Sequence, residues 1–288
     1  MSEHNDIQIG IIGGTGADLE LENAEKIKVY TPYGAPSAPI EVGTFKGKKV
    51  AFLERHGEMH SIAPHKLPFR ANIWALASLG VSRIFSPCAV GGLRENFDKG
   101  AFVVIDQYIE RTKNRESTFY EGGKVCHISQ ADPFCPEMND LFYETGKNLG
   151  IPIHKGGTYI CSEGPRFATR AESKMFRLIG GDVVGMTVFP EIVLAAEKQI
   201  CYSSVATVTD LDSWAAECEK CGLVEWNRQM KCPKCGSSIH PLAVTVDEIL
   251  ETMAQNTENL KKLLEAVVSK IPEERGCNCS DMMKGAVM

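Results

Sequence analysis

Short apolar blocks recur along the chain, and their spacing switches repeatedly between a strand period and a helix period. Runs rich in β-branched residues predict strands at residues 7–12, 49–53, 84–86, 102–106, 157–161, 183–186 and 202–207. Between them, apolar positions recur every three or four residues and predict helices at 69–79, 136–149, 168–179, 190–198 and 246–269. Gly150 stands after the second helix and Gly180-Gly181 after the third, where a residue free to take positive φ ends a helix. This alternation predicts an α/β fold: a single domain, residues 1–288, with a central mixed β-sheet flanked by helices. No internal repeat or low-complexity linker interrupts it. The pattern changes in one place, between Trp214 and Pro241, which marks residues 215–241 as an insert. The tail, 272–288, is short, polar and cysteine-bearing, and is expected to be mobile or docked on a neighbour.

Composition narrows the classes. The chain has 288 residues, 43% of them hydrophobic and 24% charged, enough for a sizeable core. Its net charge of −6, without any Lys/Arg block, argues against nucleic acid or an anionic membrane as the main partner. No apolar run approaches the roughly 20 residues that span a bilayer. The polar start, Met1 to Asp6, lacks a signal-peptide core, so the expected location is cytoplasmic.

Eleven cysteines would suggest disulfides, but the count is odd and four fall in a metal pattern. Cys218 and Cys221 form one CxxC, Cys232 and Cys235 another, and glycines follow both pairs (Gly222, Gly236). Two such knuckles let four thiolates close on one Zn²⁺, with iron as the competing ion. Four thiolates leave no open position, so the expected role is structural. Cys277 and Cys279 stand apart, as free thiols of the tail or as a strained local disulfide.

Several turns carry possible chemistry. Gly13-Gly14-Thr15-Gly16 follows the first apolar strand, and glycine lets backbone N–H groups converge on an anion. The turn lacks the Lys-Ser/Thr of a P-loop and the G-x-G-x-x-G of a dinucleotide site, so it suggests phosphate without a nucleotide tail; a plain tight turn looks the same. Arg55-His56 at a strand end can bind an oxyanion or make a surface ion pair. His60 and His65 nearby raise a metal site as a weaker alternative, without a carboxylate pattern to support it. Cys88 to Leu93 reads as a second glycine-containing turn after a strand. Thr187 stands at a helix start and can donate to phosphate, or simply begin the helix. Asp210 and Asp212 fall on one side if the last strand continues, where two acids can hold and protonate a heteroaromatic base; a solvated loop is the alternative.

Taken in order, Gly13-Gly14-Thr15-Gly16, Arg55-His56-Gly57, Ala71 to Leu76, Asp132 to Pro136, Glu163 to Phe167, Met186-Thr187 with Pro190-Glu191, and Asp210 with Asp212 and Trp214 resemble the 5′-methylthioadenosine phosphorylase branch of the purine nucleoside phosphorylases. The likeness spans about residues 7–214 and resumes from Ala243; the insert and tail lie outside it. The resemblance implies phosphorolysis of a nucleoside by a homotrimer, with inorganic phosphate as co-substrate and no organic cofactor. It implies that Thr15, Arg55, His56, Ala89 and Thr187 hold phosphate, that Met186 contacts ribose, and that Phe167 lies against the purine. It implies Asp210 at N7, Asp212 at the 6-amino group, and Val246, Ile249 and Leu250 around a 5′-alkylthio group; for those three an apolar helix face is the other explanation. His127 resembles a residue lent by a neighbouring subunit.

Base choice follows from donors and acceptors. Carboxylates suit a 6-amino group, and the 6-oxopurine enzymes this chain resembles use Asn where Asp210 stands and Glu where Ala168 stands. The expected reaction is therefore cleavage of 5′-methylthioadenosine to adenine and 5-methylthioribose 1-phosphate. Two positions point elsewhere. Cys88 stands where adenine-using relatives carry a hydroxyl, and Gly185 is shared with 6-oxopurine enzymes, which makes 5′-methylthioinosine or inosine the alternative substrate. A different class, a binding module recruiting partners through the knuckle, rests on the insert alone.

Overall fold

The computed structural model describes residues 7–14, 19–225, 229–242 and 245–288. The first half of the chain gives β1 (Ile9–Gly13), β2 (Glu22–Ile27), β3 (Ile40–Phe45), β4 (Lys48–Glu54), α1 (Phe69–Ser78), β5 (Arg83–Phe85), β6 (Cys88–Gly92), β7 (Phe102–Val104), β8 (Gln107–Arg111) and α2 (Pro136–Asn148). The second half gives β9 (Ile153–Lys155), β10 (Thr158–Ser162), α3 (Arg170–Leu178), β11 (Val183–Gly185), α4 (Val188–Glu197), β12 (Cys201–Ser203), β13 (Val205–Leu211), β14 (Ala216–Cys218), β15 (Ile239–Pro241) and α5 (Val246–Lys270).

The mixed sheet is curled and reads as two linked ladders. One runs β12-β5-β1-β4-β3-β2, the other β8-β10-β11-β6-β13-β7-β9. They join where β5 continues past Ser86-Pro87 into β6 and β12 continues past Ser204 into β13. At that seam Ser86 N–H donates to the Ser203 carbonyl and the Ser204 hydroxyl to the Ser86 carbonyl, so the bend leaves these groups paired. Helices α1 and α4 bury Phe69, Ile73, Leu76, Ile192 and Ala195 on one side. On the other, α2 and α5 bury Phe142, Leu260, Leu263, Leu264, Val267 and Val268. The smaller α3 packs Phe176 against Ile160, Val184 and Trp214.

All five helices match the predicted ones within two residues at each end. The strands differ more. β2 is a charged, exposed edge strand with no apolar alternation to reveal it. Cys88 to Gly92, expected as a turn, is strand β6 between β11 and β13. Its glycines answer to close packing: a Cβ at Gly91 would stand 3.1 Å from the Asp212 Cβ, and one at Gly92 3.1 Å from Val208 Cγ1. The tail is docked on its own chain. Cys279 is buried, Gly276 N–H donates to the Glu137 carboxylate, and Val287 bridges to Cys126. All eleven cysteines are free thiols, Cys277 and Cys279 included. Among the described residues no helix is long and apolar enough to cross a membrane.

Candidate active site

Parallel strands β4, β1 and β5 end side by side, and their C-terminal ends open into a cavity of about 930 Å³. Arg55 follows β4 directly, and its N–H donates to the Gly13 carbonyl at 2.9 Å. A Cβ on Gly14 would lie 2.6 Å from Arg55 Nη1, so only glycine lets the guanidinium pass between the strand ends. Arg55 is buried and pairs with Glu191, Nε to Oε1 at 2.7 Å. Nη1 donates to the Pro87 carbonyl, and Nη2 donates to the Ile12 carbonyl and Ser86 Oγ. Among the described residues, four of the five guanidinium N–H groups therefore meet protein oxygens, with Nη2 also 3.5 Å from Glu191 Oε2. Burial works to lower the Arg55 pKa, but Glu191, joined by Tyr202 and Cys88, together outweigh it and hold the pKa above its ordinary value. Glu191 is completed by the Ser86 and Tyr202 hydroxyls, which donate to Oε2 at 2.9 and 2.8 Å.

His56 also lines the cavity. Its Nδ1 lies 2.8 Å from the Ile62 carbonyl, which can only accept, so Nδ1 carries the proton and Nε2 remains for a ligand. Burial first, then the neighbouring Arg55 and His60, lower its pKa to about 4 despite the Ile62 bond. The imidazole is thus neutral at pH 7, stacked on His60 with ring centroids 4.1 Å apart. Thr187, buried at the start of α4, donates its backbone N–H to Tyr159 Oη at 3.2 Å. That contact explains Gly185, since a Cβ there would lie 2.1 Å from Tyr159 Oη. Cys88 lines the same region, its Sγ 3.5 Å from Ser204 Oγ and its thiol pKa raised by burial.

The opposite end is acidic. Between Val208 and Asp210 the β13 register shifts, and this irregularity turns both Asp210 and Asp212 into the cavity. Asp210 Oδ1 accepts the Thr209 hydroxyl at 2.8 Å. Asp212 is buried and its pKa is raised by that burial, against the lowering effect of Ser173. Its Oδ2 is buried with no hydrogen-bond partner among the described residues. An orphaned buried acceptor costs about 1–3 kcal/mol, so this oxygen lacks a donor that a ligand can bring.

Met186, Phe167, Ala89, Val246, Ile249 and Leu250 complete the lining. Gly164 makes room for Met186, whose sulfur would lie 2.5 Å from a Cβ there. Arg115 secures this region by donating to the carbonyls of Met186, Phe189 and Glu163. Val246 and Leu250 are 59% and 51% exposed, whereas the same helix buries Leu260 to Val268. They therefore lie on the cavity lining and outside the core.

Most of the expected site residues thus meet in one cavity. Thr15 lies outside the described residues. His127 does not line its own chain's cavity; it is exposed, and its N–H donates to Ala286 of the tail at 2.7 Å. Sequence reasoning gave no role to Glu191, Tyr159, Tyr202 or Arg115. Glu191 carried a usable signal, as one of two acids, with Glu197, in an otherwise apolar α4.

The knuckle cysteines meet on a hairpin of β14 and β15. Cys218 Sγ lies 3.5 Å from that of Cys235, and Cys221 Sγ 3.6 Å from that of Cys232. Four sulfurs about 2.3 Å from one tetrahedral Zn²⁺ would stand about 3.8 Å apart, so the donor set fits that ion. Gly222 and Gly236 have φ of +65° and +72°, the left-handed turns that bring each pair of thiols together.

Comparison with known proteins agrees with this architecture. The Phosphorylase superfamily model matches residues 8–269. An S-methyl-5′-thioadenosine phosphorylase from Pyrococcus abyssi is 50% identical over 277 residues, covering 96% of this chain and 98% of its own. A protein described as a probable 6-oxopurine nucleoside phosphorylase, from Dictyoglomus turgidum, is 46% identical over 282 residues, with 96% and 97% covered. Among solved structures, a methylthioadenosine phosphorylase from an antarctic soil metagenomic library superposes with a TM-score of 0.84 at 38% identity, covering 99% of this chain and 93% of its own. A cavity at the strand ends with a buried Arg55–Glu191 pair at one side and two carboxylates at the other, in a chain matched almost throughout, belongs to the phosphorylase superfamily.

Proposed function

We propose that this chain is a pentosyltransferase that cleaves 5′-methylthioadenosine with inorganic phosphate, giving adenine and 5-methylthioribose 1-phosphate. Asp212 Oδ2 carries the reading: it is a buried acceptor with no donor among the described residues, and a 6-amino group supplies one. Phosphate is held by Arg55, His56, Ala89, Thr187 and Thr15, with His56 Nε2 able to accept from a protonated phosphate oxygen. Met186 lies against ribose and Phe167 against the purine. Val246, Ile249 and Leu250 take up the apolar 5′-alkylthio group.

No protein nucleophile is required. A phosphate oxygen attacks C1′ as the C1′–N9 bond breaks, and that bond's electron pair passes into the purine. Asp210, at N7, hydrogen-bonds or protonates the leaving base, while Asp212 holds its amino group. The protein contributes position and charge stabilisation. The active form is a homotrimer in which the partner subunit's His127 reaches the 5′ side. No organic cofactor takes part. Zn²⁺ held by Cys218, Cys221, Cys232 and Cys235 closes the insert, and with four thiolates it has no position left for substrate.

The test is turnover of methylthioadenosine, adenosine, methylthioinosine and inosine, each with and without phosphate. Phosphate-dependent release of adenine, fastest from methylthioadenosine, is expected. Equal release without phosphate would overturn phosphorolysis, and faster methylthioinosine turnover would overturn the base assignment. Gly185 was the sequence signal for a 6-oxopurine. Its contact with Tyr159 accounts for it by packing, independently of the base.

A further inference from the structure

Away from the cavity, three distant segments bring four thiols together. Cys135 immediately precedes α2, Cys201 opens β12, and Cys277 and Cys279 come from the tail. One sulfur from each lies within 4.8 Å of all the others. Cys135, Cys201 and Cys279 are buried and Cys277 is half-buried, in an apolar setting that includes Met138 and Phe142.

We propose that Cys135, Cys201, Cys277 and Cys279 form a second tetrathiolate site, which takes a thiophilic divalent cation, Zn²⁺, and clamps the tail to the body of the fold. Tetrahedral Zn²⁺–thiolate geometry sets sulfurs about 3.8 Å apart, within the spread of this cluster. Cys201 Sγ lies 3.3 Å from Cys277 Sγ, well beyond the roughly 2.05 Å of a disulfide, and all four thiols are free. The surrounding backbone is already tied. Cys135 N–H donates to the Tyr202 carbonyl at 2.9 Å, and Gly276 N–H donates to the Glu137 carboxylate at 3.1 Å. Arg275 spans the junction, with Nη1 2.7 Å from the Gln199 carbonyl and 4.0 Å from Cys201 Sγ. Its positive charge offsets part of the negative charge of a Zn²⁺ tetrathiolate.

Binding replaces the four thiol protons by one Zn²⁺ and releases those protons, with no change of oxidation state. A disulfide at the same place would need an external oxidant. The clamp reaches further along the tail, because Val287 pairs with Cys126 and Ala286 accepts from His127 N–H. The clamp takes no part in the proposed reaction.

Zinc content of the full chain, purified under reductant without chelator, tests it. About two zinc ions per chain are expected, one per tetrathiolate. Cys277→Ser should lose one, Cys235→Ser the other, and the double variant both. Anomalous scattering at the zinc edge, from crystals of the unmodified chain, gives an answer even if a variant fails to fold. A peak among the four sulfurs supports the site. No peak there, zinc content unchanged by Cys277→Ser, or peptide mapping that finds these cysteines paired as disulfides would overturn it.

Discussion

The two ends of the cavity are finished to different degrees. At the Arg55 end the protein's own groups answer one another: Glu191 takes the guanidinium, Ser86 and Tyr202 complete Glu191, and His56 is neutral. At the Asp212 end a buried carboxylate oxygen has no hydrogen-bond partner among the described residues. The first end is therefore a preorganised scaffold that offers phosphate a few directed donors and little net charge. The second stays incomplete until a base arrives. Selectivity is expected to reside where the protein leaves a group unpaired, because a ligand lacking the matching donor leaves that cost in place.

Substitutions at each end can break this comparison. The largest effect is expected from Asp210→Ala. General acid catalysis contributes about 10²–10⁴-fold, so kcat should fall by that range while the melting temperature changes little. An unchanged kcat would remove Asp210 from the reaction. Next comes Glu191→Gln, which strands the Arg55 charge in the core. Removing one partner of a buried ion pair costs about 3–5 kcal/mol, readable as lost unfolding free energy in urea. A loss too small to measure would mean that the scaffold end is not closed as described. A smaller effect is expected from Asp212→Asn, whose amide can donate to O6 of a 6-oxopurine. The preference in kcat/KM for methylthioadenosine over methylthioinosine should narrow by about 1–3 kcal/mol, roughly 5- to 150-fold. An unaltered preference would move base selection to another residue.

How much of this was legible beforehand depended on whether the signal was local. The paired CxxC motifs lie within a few consecutive residues and spacing alone carries them, whereas Arg55 after β4 read equally well as a surface ion pair. The strand β2 was invisible because all but its last residue are exposed, which removes the alternation that marks a half-buried strand. β6 was misread because its glycines imitate a turn, whereas they make room for Asp212 and Val208 on the adjoining strand. The Arg55–Glu191 pair joins residues 136 positions apart, and Cys135, Cys201 and the tail cysteines meet only through the folded topology. No periodicity encodes such meetings. The apolar residues at the start of α5 were ambiguous for a related reason: the same helical stripe serves the cavity at one end and the core at the other.

The smallest expected effect is the dependence of base preference on pH, and it separates the two ends cleanly. Burial raises the Asp212 pKa, so its protonated form becomes populated at a higher pH than for an exposed Asp. As pH falls toward that raised value, the carboxylate that accepts from a 6-amino group becomes an acid that can donate to O6. The ratio of kcat/KM for methylthioadenosine to that for methylthioinosine should therefore decline as pH falls, and recover as pH rises and Asp212 ionises. Titrations at the other end act on both substrates alike and cancel in this ratio. That holds for phosphate itself and for His56, which gains its proton only near pH 4. Asp212→Asn should flatten the profile, since the amide has no proton to gain in this range. A ratio that stays constant in the wild type, or a slope that survives in Asp212→Asn, would detach base choice from the unpaired carboxylate and return the problem to the phosphate end.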